Sequence, residues 1–437
     1  MLTRMLESRF VFSALNALLV RVPQLVFKTF TALLALVKEF LLKIGAAKVD
    51  AFLARIGKWY VANNSKVDQS LVVFVTGQND FTCNPKYIAQ ELLKQDSNLR
   101  LVWAVDGQTK GPFPKEMDFV QFGKAEFYKT VAKAKVVVMN NHAMQIHRVF
   151  KNQGRQFWIQ TWHGSLGLKR LEGSGGRPKF YKKARSLDIK QTDFVISNSQ
   201  FEEDVFSSTF WPGIEAKRLG HARNDILFDS TSETKKKLRL KVLTRLGIED
   251  KGQKFVMFAP THNDINPNQS FAHVDFLELT GKLSDKFGGE FEVLVRTHSS
   301  DKKKSDSWLA GLPVFCHNAS AYPDMQELMM ISDVGLTDYS SWICDYLITK
   351  KPGFLIGANL SEFEKTRGFY HDFADTPFTL ATTNDELMLN IASFEAKAYH
   401  AKIDKFFDMC GLMDDGKASA RIAEFIQQLA RSETNRK

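Results

Sequence analysis

Chemistry is first legible in the order Asp338-Tyr339-Ser340-Ser341, inside ISDVGLTDYSSWICD (331–345). The segment 331–337 is short, largely apolar and bounded by charge, the pattern of a strand end in a buried parallel sheet. Asp338 and the two serines are helix-start types. Trp342, Ile343, Tyr346 and Leu347 then recur at helical spacing. Free backbone N–H groups and the positive end of a helix dipole point out of such a turn, which makes an anion site suited to a phosphate or diphosphate. An ordinary capped helix after a strand carries the same residue types. Polar side chains close other apolar runs too: Asn140, His163 and Asn198 in the first half, and the basic pair Arg296 and His298 in the second.

Strands must carry these residues, and the chain supplies them in alternation with helices. LVVFVTG (71–77) reads as a buried strand, 87–93 as the helix behind it and LRLVWAV (99–105) as the next strand. A helical stretch at 127–133 precedes VVVMN (136–140). QFWIQTWHG (156–164), a basic glycine-rich loop (165–183) and DFVISNS (193–199) follow, with a helix from Phe201. GHARNDILF (220–228) reads as a loop with an Asn-Asp helix start, and 235–241 as a basic helix face or connector. A second alternation has a strand and loop at 255–262, a helix at 276–287, strands at 291–300 and 313–315, a helix at 325–331, the stretch described above, and GFLIG (353–357). The pattern predicts two doubly wound α/β domains with parallel sheets, whose ligands collect at the carboxyl ends of the strands. With the best phosphate turn in the second domain, it suggests a GT-B-like architecture of two Rossmann-type domains. A nucleotide-linked donor would bind the second domain and an acceptor would enter between the two. The expected boundaries are 70–230 for the acceptor domain, 250–400 for the donor domain and 401–437 for a C-terminal helical segment.

The first 62 residues differ from the rest. They are rich in Leu, Val, Phe and Ala, and no uninterrupted apolar run approaches the roughly 20 residues that span a bilayer. Arg21, Lys28, Glu39 and Lys43 share one narrow helical stripe, with wide apolar faces opposite. That describes amphipathic helices lying in a membrane interface. Helices that pack on the globular body or on a second copy, in a homo-oligomer, carry the same pattern. The formal net charge of +10 points to an anionic partner: a membrane surface, a phosphorylated substrate or a nucleic acid. Nucleic acid fits poorly, because the basic residues are not interleaved with aromatics in a recognisable module. The four cysteines are far apart with no CxxC pair, which argues against a disulfide framework or zinc site and favours a reducing compartment. There is no Walker loop, and GSGG (173–176) follows charge rather than a strand. With no Asp-x-Asp pair and no His/Cys cluster, neither a tightly held metal nor a cofactor is expected.

The ordered motifs resemble the CDP-glycerol glycerophosphotransferase family, the teichoic-acid polymerase and primase group. They are Gln160-Thr161-Trp162-His163-Gly164 with Leu168-Lys169-Arg170, then Arg223-Asn224-Asp225, Ala259-Pro260-Thr261 and Arg296-Thr297-His298. Thr337-Asp338-Tyr339-Ser340-Ser341 with Asp345, Arg367-Gly368-Phe369-Tyr370-His371-Asp372 and Asp414-Asp415-Gly416-Lys417-Ala418-Ser419 complete the set. The similarity spans about residues 70–425. Ser165-Leu166-Gly167 departs from the family's usual Thr-Pro, Gly220-His221-Ala222 from Gly-Tyr-Pro, and Thr297 from proline or methionine. These departures touch the acceptor fit and the choice of polyol.

The resemblance implies transfer of a polyol phosphate from a CDP-polyol, most simply CDP-glycerol, to an acceptor hydroxyl with release of CMP. The acceptor would be a polyol phosphate, lipid-linked or on a polysaccharide, in teichoic-acid or capsule-type polymer synthesis. The implied location is the cytoplasmic face of the membrane, peripherally bound. Within that reading His163 is the expected base on the acceptor hydroxyl. His298 would protonate or hydrogen-bond the leaving phosphate, with Arg296 balancing charge. Asp338 would orient a histidine or a polyol hydroxyl. Ser340 and Ser341 would hold the donor diphosphate, Thr261 would line its pocket and Arg367 would meet its oxygens. Asp345 and Asp225 are expected in support, and Lys169 and Arg170 head a basic loop that draws an anionic acceptor. The competing readings are a GT-B glycosyltransferase using a sugar nucleotide, and a membrane-bound scaffold without turnover.

Overall fold

The computed structural model describes residues 46–432 apart from 77–80, 96–97, 108–112, 142–148, 153, 166, 169, 171–178, 230, 262–273, 298–307, 358–359 and 367. The chain divides after Tyr60 into two compact units. The helix Ala46–Asn64 is the described part of the first and runs on in sequence into the second. The expected amphipathic segment therefore lies outside the described residues up to 45. No helix among the described residues is long and apolar enough to cross a membrane.

The second unit is built on two sheets. The first holds β1 (Asp68–Val75), β2 (Arg100–Val105), β3 (Asp118–Gln121), β4 (Ala134–Met139), β5 (Phe157–Gln160), β6 (Phe194–Ser197) and β7 (Glu215–Arg218), in the order β3-β2-β1-β4-β5-β6-β7. The second holds β8 (Lys254–Phe258), β9 (Phe291–Val295), β10 (Cys316–Asn318), β11 (Val334–Thr337), β12 (Gly353–Ile356) and β13 (Leu380–Ala381), in the order β10-β9-β8-β11-β12-β13. The pairings within each sheet are parallel. Each order reverses once, between β1 and β4 and between β8 and β11, which creates the crevice where ligands bind in such sheets. Helices cover both faces of a sheet of this kind, so its strands must be apolar on both sides. Leu71 to Val75 and all of β4 are buried accordingly.

Three strands escape the apolar reading: β3, β7 and the two-residue β13. All lie at sheet edges, where one side pairs with nothing in the sheet; β3 and β7 keep polar side chains in water, and β13 is too short to carry a pattern although Ala381 is buried. The stretch at 331–345 is also re-divided. Ile331 ends the helix Met325–Ile331, which Asp324 caps by accepting the N–H groups of Gln326 (3.0 Å) and Glu327 (3.3 Å). The strand begins only at Val334, and Pro313 to Phe315 precede β10 rather than forming it.

The chain end returns to the first sheet. Ile422, Ala423, Ile426 and Leu429 of the helix Ala418–Arg431 pack with Phe74, Trp103 and Ile196. Fully burying an isoleucine or leucine side chain contributes about 1.5–3 kcal/mol. The preceding helix, Ala396–Cys410, instead buries Tyr399, Ile403 and Phe406 with Trp342 and Leu355 of the second sheet's side.

Candidate active site

The carboxyl ends of β8 and β11 lie side by side, because Leu336 is registered against Phe258. This is the point where the second sheet's order reverses. Asp338 emerges there, and its Oδ1 accepts the N–H groups of Thr261 (2.8 Å) and Tyr339 (2.6 Å). Thr337 Oγ1 (2.7 Å) and Trp342 Nε1 (2.8 Å) both donate to the Ala259 carbonyl. Asp338 thus ties two strand ends into one rim. Thr261 is buried, and its Oγ1 has no hydrogen-bond partner among the described residues. A buried hydroxyl in that state is suited to a ligand atom.

Ser341 has helical backbone angles and precedes a helix of five residues, Trp342–Tyr346. The N–H of Ile343 donates to Ser340 O (3.4 Å) and that of Cys344 to Ser341 O (3.0 Å). In so short a helix the turn's backbone donors matter more than the macrodipole. Tyr339 packs against Phe363 and Phe369. A Cβ on Gly357 would lie 2.3 Å from the Tyr339 ring, so only glycine lets that ring sit beneath the rim. Arg296 follows β9 and donates from Nη1 to the carbonyls of Ala319 (3.5 Å) and Tyr322, so it also shapes a loop.

On the first sheet, His163 is exposed just beyond β5. Its Nδ1 lies 2.6 Å from the Asn140 carbonyl beyond β4. A carbonyl can only accept, so Nδ1 carries a proton, and in the neutral ring the lone pair is on Nε2. The preceding residue, Trp162, has φ +54°. A left-handed tryptophan costs roughly 1–3 kcal/mol and survives only where its surroundings over-determine it. Trp162 packs against Phe210 and Trp211, and its N–H donates to Gln160 Oε1 (3.1 Å). Asn84 Nδ2 donates to the carbonyls of Thr161 (2.9 Å) and Trp162 (3.3 Å).

A bonded chain connects the two sets of strand ends. Asn84 Oδ1 accepts the Arg223 N–H (3.1 Å), and the Arg223 guanidinium donates twice to Asp345 Oδ2 (3.2 and 2.9 Å). Asn224 Nδ2 donates to Asp345 Oδ1 (3.0 Å) and to Asp414 Oδ2 (2.8 Å). Asp414 also accepts from Asn198 Nδ2 (2.9 Å) and the His221 N–H (2.7 Å). Burial would lower the His221 pKa, but the Glu202 carboxylate 3.0 Å away helps hold it raised. Burial raises the Asp414 carboxyl against the pull of His221 and these donors. Separately, Lys86 bridges Asp324 (2.5 Å) and Glu327 (2.6 Å), all three buried.

The structure therefore brings Asp338 and Thr261 together at one rim and links Asp345 to the turn before His163. Arg170 reaches the same region of the second sheet's side: its N–H donates to Gly368 O (2.9 Å) and its Nε to Phe369 O (3.0 Å). Asp225 turns elsewhere. Its carboxylate accepts the N–H groups of Ala418 (2.9 Å) and Ser419 (2.7 Å), capping the C-terminal helix. Burial raises its pKa despite those bonds. His298, Arg367 and Lys169 lie outside the described residues. Sequence reasoning missed Asn84 and the backbone of Trp162. The Asn84-Pro85 pair at a helix start was the one local signal, and it says nothing about a partner 77 residues away.

Two doubly wound parallel sheets, with polar strand ends linked by hydrogen bonds and buried ion pairs, define a GT-B-like α/β protein. Residues 59–428 match the family model described as CDP-Glycerol:Poly(glycerophosphate) glycerophosphotransferase, and the chain belongs to that family. It is 28% identical over 376 residues to the teichoic acid poly(glycerol phosphate) polymerase of Staphylococcus epidermidis, covering 83% of this chain and 51% of that one. The Bacillus subtilis protein of the same name is 25% identical over 382 residues, covering 84% and 50%. The chain thus spans about half the length of these curated relatives. A solved structure of the wall teichoic acid polymerase TagF, a variant soaked with CDPG, superposes with a TM-score of 0.74 at 25% identity, covering 91% of this chain and 97% of that one.

Proposed function

We propose that this chain transfers glycerol phosphate from CDP-glycerol to an acceptor hydroxyl and releases CMP, in the synthesis of an envelope polymer. Within a glycerophosphotransferase family member, the observation that carries this reading is His163. Its imidazole is exposed at a strand end, on a strained turn, with the Asn140 carbonyl selecting the tautomer whose Nε2 can take a proton. The acceptor oxygen attacks the glycerol-bearing phosphorus and its proton passes to Nε2. The bond from that phosphorus to the bridging oxygen breaks, and CMP leaves with the electron pair. Thr261, Ser340 and Ser341 hold the donor diphosphate, Arg296 offsets its charge, and Asp338 orients a histidine or a polyol hydroxyl. His298 and Arg367 act on the leaving phosphate, and Lys169 with Arg170 attracts the anionic acceptor. The amphipathic start of the chain binds the cytoplasmic face of the membrane, where a lipid-linked acceptor would be presented.

The test is mass spectrometry of purified protein with CDP-glycerol and a short glycerol-phosphate lipid. A ladder spaced by one glycerol-phosphate unit, with CMP formed, is expected for a polymerase, and a single addition for a primase. CMP from CDP-ribitol alone would retain the chemistry and change the polyol. No CMP from either donor would defeat the reading.

A further inference from the structure

We propose that Asn84 is a positioning residue for His163, and that it ties the base to the donor side through Arg223 and Asp345. The proposal rests on the reading of His163 as the base. Asn84 is 1% exposed, and both ends of its amide are used. Nδ2 donates to the Thr161 and Trp162 carbonyls, the two that flank the left-handed residue leading into His163. Oδ1 accepts the Arg223 N–H. This site needs a donor toward two carbonyls and an acceptor toward one N–H from a single short side chain, which asparagine supplies. Aspartate would turn an anion onto two carbonyl oxygens, and alanine would take this donor from the Thr161 and Trp162 carbonyls and this acceptor from the Arg223 N–H.

The anchorage of Asn84 is what makes it more than a packing residue. It stands at the start of the helix Cys83–Lys94, and Lys86 two positions on is fixed between Asp324 and Glu327 on the second sheet's side. Its acceptor bond holds Arg223, whose guanidinium grips Asp345 in the helix that follows Ser340 and Ser341. A shift at either sheet's strand ends therefore reaches the His163 turn through Asn84. A strained turn relaxes when a holding bond is removed, and a base displaced by about 1 Å can lose on the order of 100-fold in rate.

The experiment compares Asn84→Asp and Asn84→Ala with the wild type in two measurements. The first is steady-state CMP release from CDP-glycerol. The expected result is kcat lower on the order of 100-fold with the donor KM unchanged. The second is nitrogen NMR of histidine-labelled protein, with the His163 signals identified by their loss in His163→Gln. The wild type should show the Nδ1–H tautomer, and the folded variants a mixture. A folded variant with wild-type kcat, or one with lowered kcat and an unchanged His163 ring, would overturn the proposal. If neither variant folds, Asn84→Ser, which keeps a short donor, takes their place in both measurements, and a wild-type kcat or an unchanged His163 ring in it overturns the proposal. The ring measurement needs no turnover, so failure of CDP-glycerol as donor would strike the proposed function while leaving Asn84 decided by the NMR.

Discussion

At the scale of single residues, the site is a contest between polar groups and the folded chain. His163 is exposed, yet its ring is not free to choose a tautomer, because one nitrogen faces a carbonyl at 2.6 Å. Replacing it with alanine removes the proposed proton acceptor and leaves the second sheet's rim untouched. His163→Ala should lower transfer by roughly 10²–10⁴-fold while calorimetry still detects CDP binding. Transfer at the wild-type rate in that variant would take His163 out of the catalytic role. His163 could be singled out from sequence because it ends an apolar run in a recognisable motif. Asn84 could not, since a buried asparagine at a helix start looks like any capping residue until its partners are seen.

At the scale of elements, helix ends and strand ends decide the architecture. The helix Ala418–Arg431 has no capping side chain of its own at Lys417, and Asp225 supplies the acceptor from nearly 200 residues away. Asp225→Ala leaves the N–H groups of Ala418 and Ser419 without that acceptor. The expected loss is about 1–2 kcal/mol, read as a lower midpoint in urea unfolding; an unchanged midpoint would show that the cap contributes nothing. The apolar core strands were legible because both of their faces are buried. The edge strand β7, with sequence EAKR, was not, because an edge strand keeps charged side chains in water.

At the scale of the whole molecule, buried charge joins the sides of the two sheets. Burial would raise the Glu327 carboxyl, but Lys86, Lys241 and the Tyr322 hydroxyl outweigh it and hold the group well below its ordinary value of 4.5. A depressed carboxylate stabilises the fold fully above its unfolded value and loses that contribution as pH falls through the folded one. Thermal stability should therefore drop as pH is lowered from about 4.5 toward 2, and Glu327→Gln should flatten that part of the profile. An identical profile in the variant would remove Glu327 as a cause. Deleting residues 1–45 should lower flotation with vesicles containing anionic lipid, since the basic stripe and apolar faces go together. Equal flotation would end the membrane reading.

The sequence by itself determined the alternation of strands and helices, the residues at the strand ends and the family to which the chain belongs. Each of these is local: a strand buried on both faces must be apolar wherever it pairs, and a helix start selects Asp and Ser whatever lies opposite. Tertiary structure alone decided the partners. It put Asp225 on the C-terminal helix, Arg223 on Asp345, Arg170 on the backbone of Gly368 and Phe369, and Trp162 in a left-handed conformation before His163. Hydrogen-bond partners far apart in sequence carry no local signature. Buried donors and acceptors must be satisfied by whatever the packing of the whole chain brings within about 3 Å.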